Sequence, residues 1–358
     1  MLKNILIIVL FLFVVGLSSL YYYTLQKRQA FKSPLDKVVS KLKKEENLIE
    51  NPLNGVLYPK SAEERLLKRR PLVVMIGNNA DARPPSNISQ ADMIYEIVAE
   101  GGITRFMSVF LANDPEKIGP VRSIRGYFLN WIYELGDAMV MHDGWSQSPV
   151  LEASAIDLID QIPIRSLFRG GLYGYRDLQR EAPNNEYVSA RVAREHGDKL
   201  GWEGVSSFEK WKFKDDNKKS YELRSKASVV DIIFWTSGDY DSHFDYDPIK
   251  NAYLKSTGGV THKDLENDVQ LGAKNVIVQF AKETPVNDQK NHLLYANIGS
   301  GKAFVFLDGR VVEATWTKKD RVSRTKFYDL DGKEVEFNRG VIWVSVVPDR
   351  NEAWVTYK

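Results

Sequence analysis

Residues 91–125 read ADMIYEIVAEGGITRFMSVFLANDPEKIGPVRSIR, and this stretch decides the fold of the first half of the chain. DMIYEIVAE and ITRFMSVFL are rich in β-branched and aromatic residues, with Gly101 and Gly102 between them. Two such runs joined by a glycine pair predict a β-hairpin. In the simplest register Arg105 faces Val98 and lies on the side of Glu96 and Glu100. Diagonal neighbours on one face are within reach of long side chains, so the expectation is an arginine held between two carboxylates. Read as a helix, the stretch still puts Asp92, Glu96 and Glu100 on one face. Charge inside apolar segments is costly unless paired or bound to a ligand, so this is also the first place to look for a site.

Downstream, IGPVRSIR runs into GYFLNWIYELG, where Phe128, Trp131, Ile132 and Leu135 have helical spacing. That puts Arg122 and Arg125 at a helix start, an electropositive place that disfavours cations. A bound anion there resolves the conflict. Pairing with Glu96 and Glu100 as a structural network resolves it equally well, and both readings stay open. AMVMH (138–142) predicts a strand, with His142 and Asp143 at its carboxyl end, the usual place for ligand groups in α/β sheets. A helix is expected over 149–161. The glycine loop GGLYGY (170–175) leads into Arg176 and Arg180, then Asn184 and Asn185. This set suits capture of phosphate or carboxylate, or else covers a solvated face. Ser189 is expected to cap a helix over 190–200.

Upstream, LVVMI (72–76) predicts a buried strand and GNNADARPPSNIS (77–89) a loop. Residues 5–23, ILIIVLFLFVVGLSSLYYY, carry no charge and are long enough to cross a bilayer. Three closing tyrosines resemble an interfacial belt. Its length argues against a cleaved signal peptide. The expectation is a single-pass anchor at the cell membrane with the globular part outside the cytoplasm. The expected organisation is an anchor over 1–28, a charged stalk over 29–58, an α/β domain with a mixed sheet over 59–210, a linker over 211–226 and a β-rich domain over 227–358. This last part is nearly all short strands, with Asp308-Gly309 and Asp331-Gly332 as hairpin turns, and reads as a mainly antiparallel barrel or sandwich. His262 and Asp264 are further possible ligand groups there.

The 358 residues include no cysteine, which excludes disulfides, thiol catalysis, Cys-zinc sites and lipid attachment through an N-terminal Cys. A net charge of +2 gives no sign of a nucleic-acid partner. There is no P-loop, G-x-S-x-G, H-E-x-x-H or EF-hand loop. No cofactor is required; a metal, if used, would rest on carboxylates and suit Mg²⁺. The arginines, with Asp92, Glu96 and Glu100 in support, point to an anionic envelope ligand such as a phosphate-bearing polymer or lipid-linked precursor. A non-enzymatic scaffold for envelope proteins is the alternative.

The segments NNADARPPS (78–86), ADMIYEIVAEGGITRF (91–106), GPVRSIRGYF (119–128), YRDLQREAPNN (175–185), THKDL (261–265), GSGKAFVFLDG (299–309) and VIWVSVVP (341–348) together resemble the YerB-like family. These are bacterial surface proteins built from paired N- and C-terminal domains of unknown function. The resemblance covers most of 70–350 and implies location and architecture rather than an activity. Members are often lipoproteins; lacking cysteine, this chain departs from that pattern, which leaves residues 5–23 as the expected anchor. A looser likeness of pattern is to the LytR-CpsA-Psr phosphotransferases. It sets Asp92, Arg122 with Arg125, and Arg176 with Arg180 against those enzymes' acid and arginines.

Overall fold

Leu72–Gly77 (β1), Met93–Glu100 (β2) and Ile103–Phe110 (β3) form the hairpin and its neighbour, all three almost entirely sealed from solvent. The structure is a computed structural model that describes residues 48–168, 174–216 and 224–358. The expected anchor and most of the stalk lie outside these residues, as does most of the glycine loop at 170–175. Among the described residues no helix is long and apolar enough to cross a membrane. Residues 49–358 make one compact unit.

Seven more strands complete a mixed ten-stranded sheet: Met139–Met141 (β4), Arg165–Ser166 (β5), Asn275–Ala281 (β6), Gly299–Leu307 (β7), Arg310–Lys318 (β8), Lys326–Asp329 (β9) and Ile342–Pro348 (β10). The order is β9-β8-β7-β6-β10-β2-β3-β1-β4-β5. Asp308 and Gly309 make the expected turn between β7 and β8, both with positive φ. The halves of the sequence meet in the middle of this sheet, where β10 pairs with β2 in parallel, Ser345 opposite Glu96. Both strands are buried on both faces, which their near-continuous apolar runs require. The later half is otherwise mainly antiparallel, the β6–β10 pair being parallel.

Alternation along β1 divides two cores. Val73 and Met75 face one with Phe128 and Trp131 of a short helix, Phe128–Tyr133. Leu72, Val74 and Ile76 face the other with Val230, Phe244 and Tyr253, which come from a second, antiparallel sheet of the later half. Ser189 caps Ala190–Lys199 through Val192 N, as expected. The helix expected over 149–161 is broken at Ser154 into a 3₁₀ turn, Leu151–Ala153, and a helix, Ala155–Gln161.

The family-like motifs meet at a seam between the halves. Asp264 accepts from Asn87 N (2.9 Å), Ser89 N (2.9 Å) and Ser89 Oγ (2.6 Å), and Leu265 N donates to Pro85 O (2.8 Å). Asp264 is therefore a buried clamp on the 85–89 loop.

Candidate functional site

One edge of the sheet, the rim formed by the ends of its inner strands, collects the arginines. β1 and β4 are parallel and end there, whereas β3 is antiparallel and begins there, with Gly77 opposite Arg105. Residues 118–125 run across this edge: Gly77 N donates to Pro120 O (3.0 Å), Arg122 N to Met75 O (2.8 Å) and Ile124 N to Gly144 O (3.0 Å). A Cβ on Gly77 would come within 2.8 Å of Arg122 Cγ, so glycine lets the arginine stem cross the strand.

The hairpin register differs from the expected one. Arg105 pairs with Ile97, not Val98, and a bulge between Val98 and Glu100 turns Glu100 to the face of Arg105. Glu96 points the other way. It meets Lys255 Nζ at 3.0 Å in a fully buried ion pair and accepts from Trp343 Nε1 (3.0 Å), Thr104 Oγ1 (3.1 Å) and Ser242 Oγ (3.1 Å). Arg105 thus does not lie between two carboxylates. Arg125 takes Glu100 in a two-pronged grip, Nε to Oε2 at 2.9 Å and Nη2 to Oε1. Arg105 Nη2 stands 3.9 Å from the same carboxylate, its Nη1 donates to Ser123 O (2.9 Å), and its buried Nε has no partner.

Two guanidiniums therefore meet one acid, and Arg122 lies within its electrostatic reach. Burial, and then Arg125, lower the Arg105 pKa to about 9. The same two causes hold Arg122 below its usual value. Burial works to raise Glu100, but Arg105 and Arg125 outweigh it and hold the carboxyl below its ordinary range. Arg122 donates to Pro183 O (3.1 Å) and has no ion pair among the described residues. The helix that follows has six residues, so the positive potential here belongs to the arginines rather than to a helix dipole.

Arg176 extends the edge. It contacts Asp143 (3.2 Å), Asn185 Oδ1 (2.8 Å) and Glu186 (3.5 Å). Asn184 Oδ1 and both Glu186 oxygens are buried without hydrogen-bond partners, and burial raises the Glu186 pKa. Arg180 instead holds the carbonyls of Ala82 (3.0 Å) and Pro84 (2.8 Å).

Other candidates go elsewhere. Asp92 is buried at the far end of β2, about 25 Å from Glu100 at 3.3 Å per residue. It accepts from Asn51 (2.7 Å), Asn54 (3.0 Å), Leu111 N (2.6 Å) and Ala112 N (3.0 Å). The three acids occupy three separate environments, contrary to the shared face expected. Among the described residues no cluster of three or more His, Asp or Glu is placed to hold a metal ion. His142 is fully buried with both nitrogens engaged, Nδ1 by Gly144 O (2.9 Å) and Nε2 by Ser166 Oγ (2.8 Å); burial lowers its pKa to about 4. It is a neutral structural group, and Asp143 is the member of that pair at the arginine edge.

Glu186 and the His292–Asp288 pair were not read from the sequence. Glu186 directly follows Asn185 and precedes Tyr187-Val188, at the start of a short β-prone run, a pattern that could have flagged it. His292 Nδ1 lies 2.6 Å from Asp288, which Ser148 Oγ also contacts (2.8 Å). A loop brings it there with no motif to announce it.

Two family models match the chain, one in each half. Residues 59–203 match the N-terminal domain, and residues 230–344 the C-terminal domain, of "Protein of unknown function (DUF3048)". The chain belongs to this family of two-part proteins. It is 28% identical over 312 residues to the "Putative lipoprotein YerB" of Bacillus subtilis (strain 168), spanning 85% of this chain and 88% of the relative. The fold matches the crystal structure of the Bacillus subtilis YerB protein with a TM-score of 0.74 at 25% identity, over 87% of this chain and 99% of the other.

Proposed function

We propose that this is an envelope protein anchored through residues 5–23, with its globular part outside the cytoplasm, that binds the phosphate-bearing group of a cell-wall polymer or lipid-linked precursor. The relative's description as a lipoprotein supports a place at the membrane surface. With no cysteine in this chain, the apolar N-terminal segment takes the anchoring role.

The observation that carries the ligand reading is the imbalance at the sheet edge. Arg105 and Arg125 share Glu100, and Arg122 beside them forms no ion pair among the described residues, with Glu100 and Asp143 attracting it only at longer range. Burial and the Arg125 charge depress the pKa of Arg105 and Arg122; a further anion relieves this, and a phosphate offers the oxygens to bridge them. Arg125 acts as the fixed strut and Arg122, with the free Nε of Arg105, as the ligand contact. Mg²⁺ enters this reading only with the ligand's phosphates. Transfer chemistry in the LytR-CpsA-Psr manner is not part of it, because Asp92 stands at the other end of the strand.

The test is calorimetric titration of the full chain in detergent with inorganic pyrophosphate, with and without Mg²⁺. Saturable binding that Arg122→Gln abolishes is expected. Unchanged affinity in Arg122→Gln would leave the arginines as structural parts of a scaffold.

A further inference from the structure

A cavity opens away from the arginine edge, at the seam where the 80–84 loop meets the 257–263 hairpin. It measures about 380 Å³, within the range of small-molecule sites. Its walls come from both family-like motifs, NNADARPPS and THKDL.

Arg83 lines it without an ion pair among the described residues. One nitrogen donates to Asp239 O (3.1 Å), and the guanidinium lies 5.6 Å from the Tyr240 ring centre. His262 also lines it. It is 3% exposed, with Nδ1 taken by Thr257 Oγ1 (2.8 Å) and Nε2 buried without a partner. A buried polar atom left unpaired calls for an absent partner. Burial, with Lys255 and Arg83 nearby, keeps this imidazole neutral. When the Thr257 hydroxyl donates to Nδ1, Nε2 carries the hydrogen and becomes a donor beside a guanidinium. Lys263 is already engaged by Asp268 (2.9 Å), and Asp239 adds a negative charge to the wall. This balance suits a single negative charge and opposes a polyanion. Pro84 and Val260 supply apolar surface.

We propose that the seam cavity binds a small monocarboxylate with an apolar body, its carboxylate bridging Arg83 and Nε2 of His262. The occupant spans both halves of the chain.

The chain has five histidines, so histidine-selective ¹⁵N labelling gives a readable spectrum. The full chain in detergent is titrated with benzoate, and with benzamide and inorganic phosphate as comparators. Benzoate is expected to shift the His262 Nε2 signal saturably, with affinity about tenfold or more weaker in Arg83→Gln. Benzamide and phosphate should leave the signal in place. Val260→Trp, at an exposed point of the wall, should block benzoate by bulk and serves where Arg83→Gln fails to fold. Arg122→Gln should keep the benzoate response, so this site stands or falls apart from the pyrophosphate site. No saturable shift with benzoate, an equal shift with benzamide or phosphate, or undiminished binding in both Arg83→Gln and Val260→Trp would overturn the assignment.

Discussion

Glu96 and Glu100 sit on the same strand and end in opposite circumstances. Glu96 is sealed in the seam, where Lys255, Trp343, Thr104 and Ser242 satisfy it. Glu100 stands at the sheet edge, where its donors outnumber it. A buried ion pair with its lone pairs satisfied is a closed structural unit. An edge with surplus guanidiniums is an incomplete one, and incompleteness distinguishes a binding site from a clasp. The middle and the end of β2 therefore separate what joins the halves of the chain from what is free to meet a ligand.

The largest expected effect breaks the closed unit at the middle of the strand. Lys255→Ala strands the Glu96 carboxylate and should cost about 3–5 kcal/mol in urea unfolding. Replacing both partners, Glu96→Gln with Lys255→Met, should recover a large part of that loss. If the single and double variants are equally damaged, the pair is not a closed structural unit. At the open end Arg125→Ala removes the strut from Glu100 and should cost about 2–3 kcal/mol by the same measurement.

A smaller effect concerns pH. Glu100 has a folded pKa below its ordinary 4.5, so its contribution is present above that value and lost as the pH falls. Glu186 has a folded pKa raised above 4.5, so its contribution is full below that value and lost as the pH rises through the folded pKa. Glu186→Gln should therefore flatten the decline of stability on the alkaline side of 4.5, while Glu100→Gln flattens the decline on the acid side. Matching urea midpoints against pH for the two variants would contradict the assignment. The smallest stability change belongs to Arg122→Gln, within about 0.5 kcal/mol of the parent, because no ion pair is lost.

Much of the fold was legible because it rests on local signals. The Gly101-Gly102 hairpin, the turn at Asp308-Gly309 and the Ser189 cap each form where residue chemistry placed them. The partner choices of Glu96 and Arg105 were not legible, because the bulge at Val98/Glu100 changes which face an acid takes. Lys255, more than 150 positions along the chain, reads as one surface lysine among many until the seam closes over it. The parallel joining of β2 and β10 was hidden for the same reason: long-range pairing leaves no periodic trace in either strand. The arginine edge was half legible. Arg122, Arg125, Arg176 and Asn185 converge, but which guanidinium is spent on Glu100 depends on geometry that spacing does not carry.

The most direct measurement is a crystal structure of the chain grown with pyrophosphate. Pyrophosphate density is expected against the Arg122 guanidinium and Nε of Arg105, with the Arg125–Glu100 pair undisturbed. Pyrophosphate bound elsewhere, with Arg122 still turned to Pro183 O, would contradict it.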